Sequence, residues 1–183
     1  MDILSANQMM WTAFIIGHIT PLTFISLYYF KSISKEVFSL YFIGVLVGFT
    51  WEIPFSLAGK SFHLILIDWP IDLPLVRNIA YSFIDGLIFI IGVYLSQIFL
   101  KSRDFLYKFN LNALMIMILW GSFSEFLVDL NGNGKLWLFI DNWYNPVFIT
   151  INGNGLTIIP QLIWFIAPIA YYFTVLKCLS KIA

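Results

Sequence analysis

The chain has 183 residues, of which 60% are hydrophobic and only 11% are charged, and its mean hydropathy is +0.86. Water-soluble domains carry about 25% charged residues, so the composition excludes a soluble enzyme and points to a single-domain, multi-pass membrane protein. Ten Lys and Arg balance ten Asp and Glu, so neither nucleic acid nor an acidic partner is implied, and the single cysteine, Cys178, excludes an intramolecular disulfide.

The expected architecture is an all-α bundle of five transmembrane helices. Residues 1–10 have no basic stretch ahead of the first apolar run and no small-residue cleavage site, so that run reads as a retained helix at about 9–30 rather than a signal peptide. Pro21 is expected to kink it. The second span, at about 37–58, ends in Gly48-Phe49-Thr50-Trp51-Glu52-Ile53-Pro54-Phe55. Residues 60–78 follow, rich in Phe62, Leu64, Ile65, Leu66, Ile67 and Trp69 and too apolar for a solvated loop. The third and fourth spans are expected at about 79–100 and 111–129. The second apolar connection, residues 130–156, carries Trp137, Phe139, Trp143, Tyr144 and Phe148, with Asn-Gly-Asn-Gly pieces at 131–134 and 152–155 that read as turns. The fifth span is expected at about 157–176, with a kink at Pro168. The two apolar connections are expected to lie at the membrane interface or to fold over the bundle as a lid.

Loop charge gives the orientation. Lys31, Lys35, Lys101, Arg103, Lys108, Lys177 and Lys181 fall on one side, and Lys60, Arg77 and Lys135 on the other. By the positive-inside rule the C-terminus is cytoplasmic and the N-terminus is not, so both apolar connections are non-cytoplasmic.

With that topology, the intramembrane polar residues converge on one depth. Glu52, Asp85 and Glu125 each fall about 6–10 Å inside the non-cytoplasmic end of their helices, at 1.5 Å per residue. Gln161 and Trp164 lie near the start of the fifth helix. Ionisable groups in membrane helices are costly and usually face the bundle interior or a wet cavity. The arrangement is therefore expected to be a pocket in the outer half of the bundle. Its polar lining would be Glu52, Asp85, Glu125 and Gln161, and its aromatic wall Trp51, Trp120, Trp164, Tyr81 and Phe49. His18, nearer mid-membrane, would reach it from below. Carboxyl groups sharing an apolar site do not all ionise, and one that keeps its proton is a competent general acid. Aromatic faces stabilise cations. Acid plus aromatic wall suits proton-initiated carbocation chemistry on an isoprenoid or sterol.

Other motifs carry less. Asp129-Leu130-Asn131-Gly132-Asn133-Gly134 matches the first half of a calcium loop, but the twelfth position, which needs a bidentate acid, is Ile140. No Cys/His cluster has zinc-ligand spacing and no Gly-rich strand–turn–helix suggests a phosphate site, so no metal and no cofactor are expected.

Three stretches resemble known families. Asn142-Trp143-Tyr144-Asn145-Pro146, Gly153 to Gly155, and Ile159-Pro160-Gln161-Leu162-Ile163-Trp164-Phe165 resemble the closing segment of membrane lycopene cyclase domains. The paired glutamates of that segment are replaced here by Gln161 and Leu162, so acid chemistry would come from Glu52 or Glu125. Phe49-Thr50-Trp51-Glu52 resembles the Trp-Glu element of the small integral-membrane terpene cyclases of meroterpenoid pathways, which implies Glu52 as proton donor. Gln161, Trp164 and Pro168 resemble the last helix of the five-helix emopamil-binding (sterol isomerase) group, although the histidine that group carries one turn before its helix-2 acid is Gly48 here.

The expected function is a cofactor-independent isoprenoid cyclase or isomerase. Glu52 is the proton donor, Glu125 and Asp85 are base or tuning partners, Gln161 positions substrate or water, and Trp51, Trp120 and Trp164 stabilise the cation. The expected partners are a lipophilic isoprenoid or sterol-like molecule and membrane lipids. Two rivals remain open: a non-catalytic lipid- or sterol-binding protein, and a small transporter subunit. The oligomeric state is not legible.

Overall fold

Five long apolar helices make up most of the chain in the computed structural model, which describes residues 5–71, 73–151 and 153–180. Residues 1–4, Asn152 and Lys181, which entered the sequence readings, lie outside the described residues. The helices are α1 (Ala6–Tyr29), α2 (Lys35–Ala58), α3 (Pro74–Leu100), α4 (Leu111–Gly132) and α5 (Ile158–Leu179). Each is long and apolar enough to cross a bilayer.

Local signals set their ends. Ser5 and Gln8 form a reciprocal capping box on α1, Ser34 caps α2 through the Val37 N–H, and Asn110 caps α4 through the Ala113 N–H. Helix α3 begins at Pro74 rather than at 79, because proline is tolerated in a first turn whose N–H groups have no intrahelical acceptor. Helix α4 continues to Gly132, so the first half of the expected turn at 131–134 is helical. Asn131 Nδ2 bonds back to the Leu127 carbonyl at 2.7 Å, and Gly132 leaves room for the Trp137 indole, which a Cβ would strike. The turn itself comes at Gly134, with φ +78°. Pro21, Pro54 and Pro168 all lie inside helices that run on through them. Neighbouring helices can satisfy the backbone groups that proline frees.

Small residues bring the helices together. Lipid is as apolar as leucine, so membrane helices associate through close packing rather than through hydrophobic burial. On α2, Gly44 and Gly48 face α3. A Cβ on Gly44 would come within 3.0 Å of Gly86 Cα, and one on Gly48 within 2.7 Å of Asp85 Oδ2. At Gly17 of α1 a Cβ would meet the Ala80 carbonyl of α3 at 2.7 Å. Helices α2, α3, α4 and α5 form the main bundle, and α1 packs chiefly against α3.

The two ends differ. At one end, fully buried Tyr171 and Tyr172 donate their hydroxyls to the Leu40 and Phe105 carbonyls, at 3.2 and 2.8 Å. There Arg103 and Tyr107 both bond to Glu36, tying the α3–α4 connection to the first turn of α2. The hydrogen bond that the exposed Tyr107 phenol donates to Glu36 raises its pKa, because ionisation would give up that bond and place two negative charges together.

At the other end the two apolar connections pair with each other. Strand β1 (His63–Ile65) runs antiparallel to β2 (Trp137–Phe139), with His63 opposite Phe139. Strands β3 (Val147–Ile151) and β4 (Asn154–Thr157) form a hairpin that leads directly into α5. Phe62, Trp69, Leu136, Trp137 and Phe139 form a second apolar core with Met10 of α1, against which Phe55 and Tyr81 pack. The connections thus close over the ends of α2, α3 and α5. They form a lid over that end of the bundle.

Candidate functional site: a carboxyl-lined cavity

Beneath the paired connections is a cavity of about 300 Å³. Helix α2 contributes Trp51, Glu52 and Phe55; α3 contributes Tyr81, Ile84, Asp85 and Ile88; α4 contributes Glu125 and Val128; and α5 contributes Pro160, Ile163 and Trp164. The lid contributes His63, Leu136, Trp137 and Phe139, and α1 adds Met9, Thr12, Ala13 and Ile16. Six of the residues singled out from sequence therefore line one space: Glu52, Asp85, Glu125, Trp51, Trp164 and Tyr81.

Four do not. Phe49 packs edge-on against Phe83, with ring centroids 6.2 Å apart. Trp120 lies between α3 and α4, where its indole donates to the Ile88 carbonyl at 2.8 Å and its ring sits against Gly92. Gln161 is turned toward α4, where Nε2 donates to Asp129 Oδ2 at 3.0 Å. His18 bonds through Nδ1 to the Phe14 carbonyl at 2.7 Å and rests on the Phe14 ring.

The carboxyl groups occupy different settings. Glu52 is half-buried, and its Oε2 accepts a 2.7 Å hydrogen bond from Asn78 Nδ2. The Asn78 Oδ1 in turn accepts from Arg77 Nη2 at 3.4 Å, so one amide links a guanidinium to the glutamate. Asp85 is buried against Gly48, and its Oδ2 has no hydrogen-bond partner. Glu125 is buried and accepts no hydrogen bond from the described residues. One turn further along α4, buried Asp129 stands outside the lining and holds Gln161. The Trp137 indole N–H lies near Asp129 without closing a hydrogen bond of ordinary geometry. Asp129, Asp85 and Glu52 are all within electrostatic reach of Glu125, and Glu52 is within reach of Asp85.

The wall is aromatic. Trp164 is stacked on Phe89, centroids 5.3 Å apart, and meets Trp51 edge-on at 5.6 Å. Tyr81 meets Trp69 at 5.3 Å and Trp137 at 5.9 Å. In the lid, His63 stacks on Phe139 at 4.8 Å. Burial, reinforced by the nearby Arg77 charge, pulls the His63 pKa from 6.5 down to about 3, so its imidazole is neutral.

Sequence reasoning passed over Asn78, Arg77, His63, Trp137 and Asp129. Asn78 had a signal: it lies one turn before Ser82 and two before Asp85, on the buried face of α3. Chemically, the cavity combines several carboxyl groups, a neutral imidazole and a phenol with indole faces. That set can exchange protons and shield a cation from water.

Comparison with family models, with characterised proteins and with solved structures finds no match to this chain.

Proposed function

We propose that the protein is an integral-membrane isoprenoid cyclase or double-bond isomerase that uses proton-initiated carbocation chemistry. The observation that carries this reading is the convergence of Glu52, Asp85 and Glu125 on one cavity also walled by Trp51 and Trp164. A carboxylic acid proton is transferred to an alkene carbon or an epoxide oxygen. On an alkene the π pair forms the new C–H bond and leaves a cation at the neighbouring carbon. A second double bond of the substrate attacks that cation, or a hydride shifts. A carboxylate then removes a proton from the adjacent carbon and restores an alkene. Protons balance between the acids, and no oxidant or reductant is needed.

In this reading Glu52 is the donor, held in place by Asn78, and Glu125 and Asp85 share the base role. Trp51 and Trp164 face the developing charge, where a desolvated cation–π contact is worth about 2 kcal/mol. The resemblances to membrane cyclases and to the sterol isomerase group support an isoprenoid-derived substrate. The excess of Lys and Arg at the Glu36 end supports placing the lid end, and with it the cavity, on the non-cytoplasmic side.

The test is turnover of polyprenyl, epoxy-polyprenyl and sterol substrates by membranes carrying wild type or Glu52→Gln. Glutamine keeps the shape and the bond to Asn78 but has no transferable proton, so product formation is expected to fall by about 10²–10⁴-fold. Full activity in the variant would remove Glu52 from the chemistry. Retained ligand binding without turnover in wild type would favour the lipid-binding reading instead.

A further inference from the structure

Glu52 of α2, Tyr81 and Asp85 of α3, Glu125 of α4 and His63 of the lid are the titratable side chains that line the cavity. Four polar atoms there have no hydrogen-bond partner: both ring nitrogens of His63, the Tyr81 hydroxyl and Asp85 Oδ2. His63 is only 7% exposed. A buried polar atom left unpaired is destabilising, and buried polar groups in native proteins are generally satisfied. Each of these side chains borders the same space, so a single oxygen-bearing group placed there could repay several of them.

Part of the wall is open. Met9, Thr12, Ala13 and Ile16 repeat at helical spacing along one face of α1 and line the cavity, as does Val128 of α4, one turn beyond Glu125. Ile16 is 39% exposed and Val128 41% exposed, although both line the cavity. Helix α1 is also the least buried of the five. The cavity therefore opens sideways, between α1 and α4, toward the surface that faces lipid.

We infer that the cavity binds one single-chain amphipathic lipid bearing a neutral oxygen function, with the oxygen lodged against His63 and Tyr81 and the hydrocarbon chain leaving between α1 and α4 into the bilayer. The inference rests on the reading of this cavity as a substrate site, and it adds the chemical class and orientation of the ligand and a binding role for His63. The chemistry of the imidazole fits: in its neutral form one nitrogen donates and the other accepts, which matches a hydroxyl and also serves a carbonyl or ether oxygen. The size fits too. About 300 Å³ is at the small end of ligand sites, enough for the head and first part of a chain that continues outside.

The test uses the full-length protein purified in detergent, with farnesol and farnesene as matched probes with and without the hydroxyl. Binding is read from quenching of tryptophan fluorescence. Wild type is expected to bind farnesol about tenfold or more tightly than farnesene, the worth of one or two well-placed hydrogen bonds. His63→Phe keeps the stack on Phe139 and should erase most of that preference without weakening farnesene. Tyr81→Phe, a smaller change, should reduce it. Geranylgeraniol, with a longer chain and the same hydroxyl, should bind at least as well as farnesol. Equal wild-type affinity for farnesol and farnesene would overturn the inference and leave the polar atoms to water. So would a preference that survives in both variants. A tenfold loss on lengthening the chain would overturn the sideways exit. These readouts need no turnover, so the inference can fail while the proposed reaction stands, and the reverse.

Discussion

Asn78 Nδ2 lies 2.7 Å from Glu52 Oε2, joining the first turns of α3 to the last turns of α2. Asn78 is fully buried, so its amide has no water to fall back on. The same amide accepts from Arg77, which makes it the only residue seen to couple a cation to the cavity acids through hydrogen bonds among the described residues. Replacing Asn78 by Leu keeps the volume and removes both bonds. The expected result is a loss of about 1–3 kcal/mol of stability, from the stranded carboxyl, together with a fall in turnover as Glu52 loses its fixed orientation. Thermal unfolding in detergent and product formation measure the two effects. A variant as stable and as active as wild type would show that Glu52 needs no support.

Much of this was legible in the sequence. Long apolar runs determine where helices cross, and Glu52, Asp85 and Glu125 fall at one level because helices have a fixed rise. What was not legible depends on rotation and on non-local pairing. Trp120 and His18 share the right neighbourhood in sequence but face other partners, the Ile88 carbonyl and the Phe14 carbonyl. Gln161 is drawn aside by Asp129, a residue that the sequence offered only as the start of an incomplete calcium loop. His63 and Trp137 enter the site because β1 pairs with β2 across the two intervening helices α3 and α4, and no local pattern announces that pairing. Asn78 was lost to a boundary: with α3 starting at 79 it falls in a loop, and with α3 starting at Pro74 it stands on the same face as Asp85.

Gly48 is the contact that lets Asp85 lie flat against α2. A methyl group there would be 2.7 Å from Asp85 Oδ2, 3.1 Å from Asp85 Cβ and 3.2 Å from Ser82 Cα. Because Ser82 Cα is backbone, α3 itself would have to move. Gly48→Ala is expected to cost about 1–3 kcal/mol and to reduce activity by shifting Asp85. Gly59→Ala is a useful contrast, since no heavy atom lies within 4 Å of its Cβ position, although its φ of +57° brings backbone strain. Unfolding of both variants in detergent separates packing between helices from local strain.

His63 makes stability depend on pH in a defined window. Its pKa is about 3 in the folded protein and 6.5 when exposed. Between those values the unfolded chain binds the proton and the folded one does not. Folding therefore loses stability as pH falls below about 6.5, by up to about 1.4 kcal/mol per pH unit, and the effect is flat above that. Unfolding measured from pH 4 to 8 should show a shallower acid-side slope for His63→Phe than for wild type. Identical slopes would mean that the imidazole takes up a proton in the folded state.

The orientation can be read with thiol labelling. Asn131 at the end of α4 is exposed near the lid, and Lys108 is exposed at the opposite end. With the native thiol removed by Cys178→Ser, cysteine at 131 is expected to react with an impermeant maleimide added to intact cells, and cysteine at 108 only after lysis. The reverse pattern would place the cavity on the cytoplasmic side and leave its chemistry unchanged.

The sharpest prediction sets stability against activity. Glu125 and Asp85 are buried without the hydrogen-bond support that Asn78 gives Glu52. Glu125 also shares its surroundings with three other carboxyl groups, one of them Asp129 a single turn away on the same helix. Like charges at that spacing are unfavourable on a helix, and charged groups are costly inside a membrane. Glu125→Gln and Asp85→Asn keep shape and remove that cost, so neither should lower the unfolding temperature, and a gain of about 1 kcal/mol would raise it by about 2–4 °C. If these acids act as base or proton reservoir, turnover should drop by about 10²–10⁴-fold in the same variants. Such a pairing is what a site maintained for chemistry at the expense of stability produces. The opposite pairing, a lower unfolding temperature with undiminished turnover, would make the carboxyl groups structural and remove the acid–base reading of the cavity.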